Sequence, residues 1–80
     1  MKAELWTSSY CPFCVAAVRL LEERGIEFTN HVMDNDPAGL RAKKQEYGHG
    51  TVPIILIDGN FVGGNDDLRA LDSQGKLVAN

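Results

Sequence analysis

The chain has little cysteine: two in 80 residues, both within Cys11-Pro12-Phe13-Cys14. That is too few for the disulfide-dense scaffold of a small secreted domain. A bridge across so short a loop would also constrain the unfolded chain little, so the pair makes a poor staple. No apolar run approaches the length that crosses a bilayer. The stretch from Met1 to Thr7 lacks the apolar segment of a secretory leader and reads directly as structure. Repeats, linkers and low-complexity tracts are missing too. Basic charge is not in excess: eight Lys and Arg stand against eleven Asp and Glu, a net charge of −3. This argues against a general nucleic-acid surface, and the one small basic cluster, Arg41, Lys43 and Lys44, reads as a solvated helix face. There is no second C-x-x-C, and His31 and His49 are far from ligand spacing, so a metal site is not expected. A soluble protein of a reducing cytoplasm is the expectation. Residues 1–80 are expected to form one monomeric domain without membrane or nucleic-acid partners, its core near the lower limit of self-sufficiency.

The elements alternate. Ala3 to Thr7 reads as a strand, with Leu5 facing away from Glu4 and Trp6. Pro12 to Arg24 reads as a helix: Pro12 suits the first turn, Val15, Val18 and Leu21 recur at spacings of three with Ala17 and Leu20 widening the face, and Gly25 is a good stop. Glu27 to Met33 looks like a second strand. Asp36 and Pro37 are a helix start, as N-cap and first residue, and that helix runs to about Tyr47 before Gly48. Pro53 to Ile57 is a continuous β-branched run, the mark of a strand buried on both faces. Asp58-Gly59-Asn60 signals a hairpin, Phe61-Val62 a short partner strand, and a third helix follows with Leu68 and Leu71 on one face. The tail from Ser73 to Asn80 reads as a frayed extension or short helical turn. The order β-α-β-α-β-β-α predicts a four-stranded mixed sheet flanked by three helices on both faces. Trp6, Phe28, Met33, Tyr47 and Phe61 are expected to pack in or against the core. Tyr10 sits at the rim of the cysteine pair without a decided role.

Three motifs carry chemistry. Cys11 falls at a helix N-cap, where unpaired N–H groups and the positive end of the dipole favour thiolate over thiol. Cys14, one turn in, is the more buried resolving thiol with the higher pKa. Phe13 between them serves either packing or substrate contact. In Thr51-Val52-Pro53, Pro53 either begins a strand or marks a special loop in which Val52 offers its N–H and C=O to an extended peptide. In Gly63-Gly64-Asn65-Asp66-Asp67, the glycines permit close backbone approach, and Asn65 is read as the N-cap of a helix whose next N–H groups form an anion site. The alternative for Asp66 and Asp67 is simple complementation of the helix dipole.

These motifs, in this order over essentially the whole chain, resemble the dithiol type of the glutaredoxin family, a branch of the thioredoxin fold, and are most like its small bacterial members. The resemblance implies a glutathione-dependent thiol-disulfide oxidoreductase acting on protein disulfides and on glutathionylated proteins. Cys11 and Cys14 would be catalytic, and Phe13, Thr51, Val52, Pro53, Gly64, Asn65 and Asp66 would bind glutathione. It further implies a cis peptide before Pro53, with the glutathione α-carboxylate on the third helix and its amine near Asp66. Glutathione would be a co-substrate, with no tightly bound cofactor. Several positions depart from the family pattern. Ser8 stands where a Lys usually pairs with the glycyl carboxylate, Leu40 replaces a basic or amide residue, and His49-Gly50 replaces a basic residue before Thr51. Phe13 stands for Tyr, and Asn65 for a cysteine common among relatives. Weaker glutathione binding is expected, since an exposed charge pair contributes only about 0.2–1 kcal/mol. The missing Lys also raises an alternative, an electron donor to ribonucleotide reductase that is itself reduced by thioredoxin reductase. An iron–sulfur carrier is disfavoured, because Pro12 stiffens the loop and relatives of that kind carry Gly there.

Overall fold

The computed structural model describes residues 1–79. Its elements are β1 (Lys2–Thr7), α1 (Pro12–Glu23), β2 (Glu27–Val32), α2 (Pro37–Tyr47), β3 (Ile54–Ile57), β4 (Asn60–Gly63) and α3 (Asn65–Ser73). The sheet order is β2-β1-β3-β4. β1 runs parallel to β2 and antiparallel to β3, and β3 and β4 form an antiparallel hairpin. This is the predicted architecture, with ends shifted by a residue or two. The hairpin turns through Asp58 and Gly59, both at positive φ (51° and 83°).

The period-two facing of strands splits the apolar residues into two layers. Ala3 and Leu5 of β1 join Ile55 and Ile57 of β3, Ala17 and Leu21 of α1 and Leu68 of α3 on one face. Trp6, Ile54 and Leu56 point to the other face, where Leu40 and Tyr47 of α2 and Met33 pack against them. β3 is therefore buried on both sides, as its unbroken apolar run requires.

The inner stripe of α1 differs from expectation. Cys14, Ala17 and Leu21 are buried, while Val15 is 51% exposed. At about 100° per residue, Cys14, Ala17 and Leu21 align along one face, and Val15 is turned roughly a third of the circle away from it. The expected caps of α2 are in place: the Asp36 carboxylate accepts the Gly39 N–H at 2.9 Å, and Gly48 ends the helix in the left-handed region.

The C-terminal tail is docked, not frayed. The Lys76 N–H donates to the Leu71 carbonyl at 3.0 Å, closing a turn at Gly75. Leu77 then enters the first core layer with 3% of its surface exposed. A single Leu after several polar residues carries no periodic signal, which is why its burial escaped the sequence reading. The part of the expected tail at Asn80 lies outside the described residues. Among the described residues, no helix is long and apolar enough to cross a membrane. Leu77→Ala is expected to cost about 2–5 kcal/mol of stability in urea unfolding, as for a buried leucine. The neighbouring Val78→Ala, at a position 54% exposed, should change stability by less than about 0.5 kcal/mol.

Candidate active site

Cys11 is the N-cap of α1, with φ −101° and ψ 111°, and its Sγ accepts the Cys14 N–H at 3.2 Å. An N–H aimed at sulfur from the first turn of a helix stabilises negative charge there. Neither thiol is in a disulfide; Cys11 is partly exposed and Cys14 is buried. Burial pushes the Cys14 thiol up to about 12, and the adjacent Cys11 sulfur adds to the rise. Cys14 is thus held as a protonated thiol at neutral pH.

The loop before Cys11 is fastened to Asp34. The carboxylate takes the Ser9 N–H at 3.0 Å, the Ser9 hydroxyl, and the Ser8 hydroxyl at 3.3 Å. These hydrogen bonds, the Ser9 hydroxyl's foremost, hold the Asp34 carboxyl below its usual range. The Cys11 N–H in turn donates to the Ser8 carbonyl at 3.3 Å. Ser8 is therefore part of the clamp that presents Cys11, and it brings no charge to the site.

Opposite Cys11 lies the loop into β3. The Val52–Pro53 bond is cis, and the Val52 carbonyl sits 3.6 Å from Cys11 Sγ, positioned to accept the thiol proton. Beside it opens a cleft of ≈ 250 Å³. Phe13 lines it from α1, Thr51, Val52 and Pro53 from the loop, and Gly64, Asn65 and Asp66 from the start of α3. All seven residues expected around a ligand are thus brought to one cavity. Phe13 is 62% exposed, so it presents its ring outward instead of filling core. A larger groove of ≈ 370 Å³ between α1 and α3 is lined by neither cysteine.

The start of α3 departs from the sequence reading in one respect. Gly64, not Asn65, is the N-cap. The Asp67 carboxylate, at the third helical position, reaches back to accept the Gly64 N–H at 3.0 Å, and no side chain caps the N–H groups of the first turn. Asn65 is the first helical residue and is 8% exposed, and its Oδ1 has no hydrogen-bond partner. Gly63 at φ +131° completes the approach, and a Cβ there would collide with the Asp67 carboxylate.

Two further residues line the cleft, Asp67 and His49. His49 escaped the sequence reading as a site residue because a lone histidine after a helix stop has no motif. The signal for it was the family pattern, in which a basic residue stands before Thr51. Its Nε2 lies 3.3 Å from Thr51 Oγ1. Among the expected packing residues, Trp6 is buried, but Phe61 is 41% exposed and stacks on Tyr47 at 5.2 Å on the outer surface. Tyr10 is 86% exposed. Leu40 packs into the second core layer, away from any ligand role.

A dithiol at a helix N-terminus, set against a cis-proline loop in this mixed sheet, defines a thiol-disulfide oxidoreductase of the thioredoxin-like fold. The Glutaredoxin family profile matches residues 3–62, and the chain belongs to that family. It is 39% identical over 74 residues to glutaredoxin 3 of Escherichia coli, covering 92% of this chain and 89% of that protein. The solution structure of a dithiolic glutaredoxin from Trypanosoma brucei brucei superposes with a TM-score of 0.84 at 44% identity, over 94% of this chain and 80% of that one. A crystal structure of a buckwheat glutaredoxin–glutathione complex gives a TM-score of 0.86 at 27% identity, over 94% and 71%.

The unequal burial of the two sulfurs sets their reactivity. Iodoacetamide at pH 7.5 should add one group to the folded, reduced protein, at Cys11, and a second only after unfolding, as read by mass spectrometry. The Cys14 thiol, pushed up to about 12 in the folded state, binds its proton more tightly there than in the unfolded chain. Its contribution to stability is therefore fully present below pH 9 and lost as pH rises towards 12. Cys14→Ser should flatten the stability-versus-pH curve of the reduced protein over that window.

Proposed function

We propose that the protein is a glutathione-dependent oxidoreductase that reduces protein disulfides and protein–glutathione mixed disulfides. The observation that carries this reading is the cleft beside Cys11, where a cis-proline loop and the start of α3 converge within reach of the nucleophile. The buckwheat relative solved with glutathione supports the same ligand class. In this reading Val52 pairs its backbone with the ligand as an added strand would. Thr51, Pro53 and Phe13 wall the ligand in, and Gly64, Asn65 and Asp66 hold its γ-glutamyl end. Glutathione is a co-substrate, no tightly bound cofactor is required, and the protein works as a monomer in the reducing cytoplasm.

With a glutathionylated protein, Cys11 thiolate attacks the glutathione sulfur and the protein thiolate leaves. A second glutathione thiolate attacks the Cys11–glutathione disulfide, releasing oxidised glutathione and Cys11 thiolate. With a protein disulfide, Cys11 forms a mixed disulfide and releases one protein thiolate. Cys14, giving up its proton, attacks the Cys11 sulfur and releases the other. The resulting Cys11–Cys14 bridge is opened by two glutathiones. A helix N-terminus serves Cys11 both as attacking and as leaving sulfur.

One observation favours a second reading. Ser8 is spent on Asp34 and supplies no cation for glutathione, which suits an electron donor reduced by thioredoxin reductase and serving ribonucleotide reductase. NADPH consumption with that reductase, glutathione being omitted, separates the two.

Cys11→Ser should remove all activity. Cys14→Ser should keep deglutathionylation of a glutathionylated peptide within the same order of magnitude while losing reduction of a protein disulfide. Equal loss of both activities in Cys14→Ser would refute this division of roles.

A further inference from the structure

The loop from Ser8 to Tyr10 leads into Cys11 yet buries no side chain of its own. Ser9 and Tyr10 are exposed, and Ser8 is half-buried. Its position comes from the end of β2 instead. The Met33 N–H donates to the Thr7 carbonyl at 2.8 Å, continuing the β1–β2 pairing one residue past Val32. The Asp36 N–H then closes a turn onto the Met33 carbonyl at 3.0 Å. Asp34 is thereby set beside the start of the loop. Its Oδ1 takes the Ser9 N–H and the Ser8 hydroxyl, and its Oδ2 takes the Ser9 hydroxyl. The Ser8 hydroxyl oxygen also accepts the Tyr10 N–H at 3.4 Å, and the Ser8 carbonyl accepts the Cys11 N–H. Every residue from Ser8 to Cys11 is therefore tied to Asp34 directly or through Ser8. Among the described residues, no Lys, Arg or His pairs with Asp34, so the loop is what this carboxylate holds.

We propose that Asp34 is a positioning residue for thiol-disulfide exchange: by fixing Ser8 to Tyr10 it holds the Cys11 sulfur between the Cys14 N–H and the Val52 carbonyl. This rests on Cys11 as the nucleophile, and it is independent of which thiol reduces the protein. α1 fixes Cys11 only from the Pro12 side. A loop free to turn on the other side would let Sγ leave the first-turn N–H groups that favour thiolate. Hydrogen bonds to an ionised acceptor are stronger than those between neutral groups. At an exposed site water replaces them when they are lost, so their removal costs little folding free energy. Water does not restore the position they impose. The effect therefore falls on the reactivity of the sulfur and not on the stability of the fold.

The rate at which iodoacetamide alkylates Cys11 is measured on the reduced, full-length protein at pH 7.5, with the modified site read by peptide mass spectrometry. Asp34→Ala should slow it about fivefold, the scale on which a helix terminus stabilises a charge. Asp34→Asn should stay within about twofold of the unsubstituted protein, because the amide offers Oδ1 to the same two donors and Nδ2 to the Ser9 hydroxyl oxygen. Ser9→Ala keeps Asp34 and removes one of its hydrogen bonds. Its rate should fall between, and it carries the test if Asp34→Ala does not fold. An unchanged rate in Asp34→Ala, or in Ser9→Ala where that variant stands in, overturns the inference and leaves Cys11 as the nucleophile. So does a loss in Asp34→Asn as large as in Asp34→Ala, which would make the charge and not the anchoring the cause. Alkylation of Cys14 ahead of Cys11 in the unsubstituted protein overturns the assignment of the nucleophile and the inference with it.

Discussion

The site depends on where one sulfur is held. Cys11 Sγ lies between the Cys14 N–H at 3.2 Å and the Val52 carbonyl at 3.6 Å. The first neighbour belongs to α1 and the second to the loop entering β3, so the contact exists only if helix and sheet are docked in register. Ala17 and Leu21 fix α1 against Leu5 and Ile55, while Ile54 anchors the far side of β3. The apolar layers are thus the positioning device for the thiol. A shift of α1 by even a fraction of a turn would turn Cys14 out of the core and carry Cys11 away from Val52.

The same docking makes the two cysteines unlike. One turn of helix separates them, and that turn crosses the boundary between solvent and core. Cys14 is 2% exposed, and its proton is held because a thiolate there would lose its hydration. Cys11, at the helix end, meets an N–H donor instead. The C-x-x-C spacing supplies proximity, and burial supplies the difference in reactivity between two chemically identical side chains.

Where local chemistry decided the structure, the sequence was readable. The Asp36-Pro37 start, the Gly48 stop, the buried run of β3 and the Asp58-Gly59 turn each follow from one or two residues acting on their own backbone. The gathering of Phe13, Thr51 to Pro53 and Gly64 to Asp66 into one cleft was readable only through the family pattern, since nothing local joins residues fifty positions apart. What stayed hidden were outcomes of competition in three dimensions. Asn65 is a fit capping residue, yet the cap falls on Gly64 and Asn65 is buried as the first helical residue. Val15 is as apolar as Val18, but the angle set by Cys14 and Leu21 turns it outward. Phe61 reads as core, yet its strand is the sheet edge, and its ring is covered on one side only.

The rim of the cleft inherits its position from the least buried helix. α2 has no fully buried residue. It is held to the sheet by Leu40 and Tyr47 against Trp6, Ile54 and Leu56, and by the Lys43 ammonium 4.8 Å from the Trp6 ring centroid. Trp6 in turn stacks on His31 at 5.1 Å, and His31 meets Glu4 at 2.8 Å. A tryptophan on β1 is thereby part of the surface against which α2, ended by Gly48, is packed. The end of α2 determines where the segment carrying His49 and Thr51 begins, and Tyr47 continues the aromatic row through Phe61 to His49. The reactive sulfur is set by the first core layer and the far wall of the cleft by the second. The departures at Ser8, Leu40 and His49 belong to the loops and to the second layer, and they leave the dithiol geometry intact.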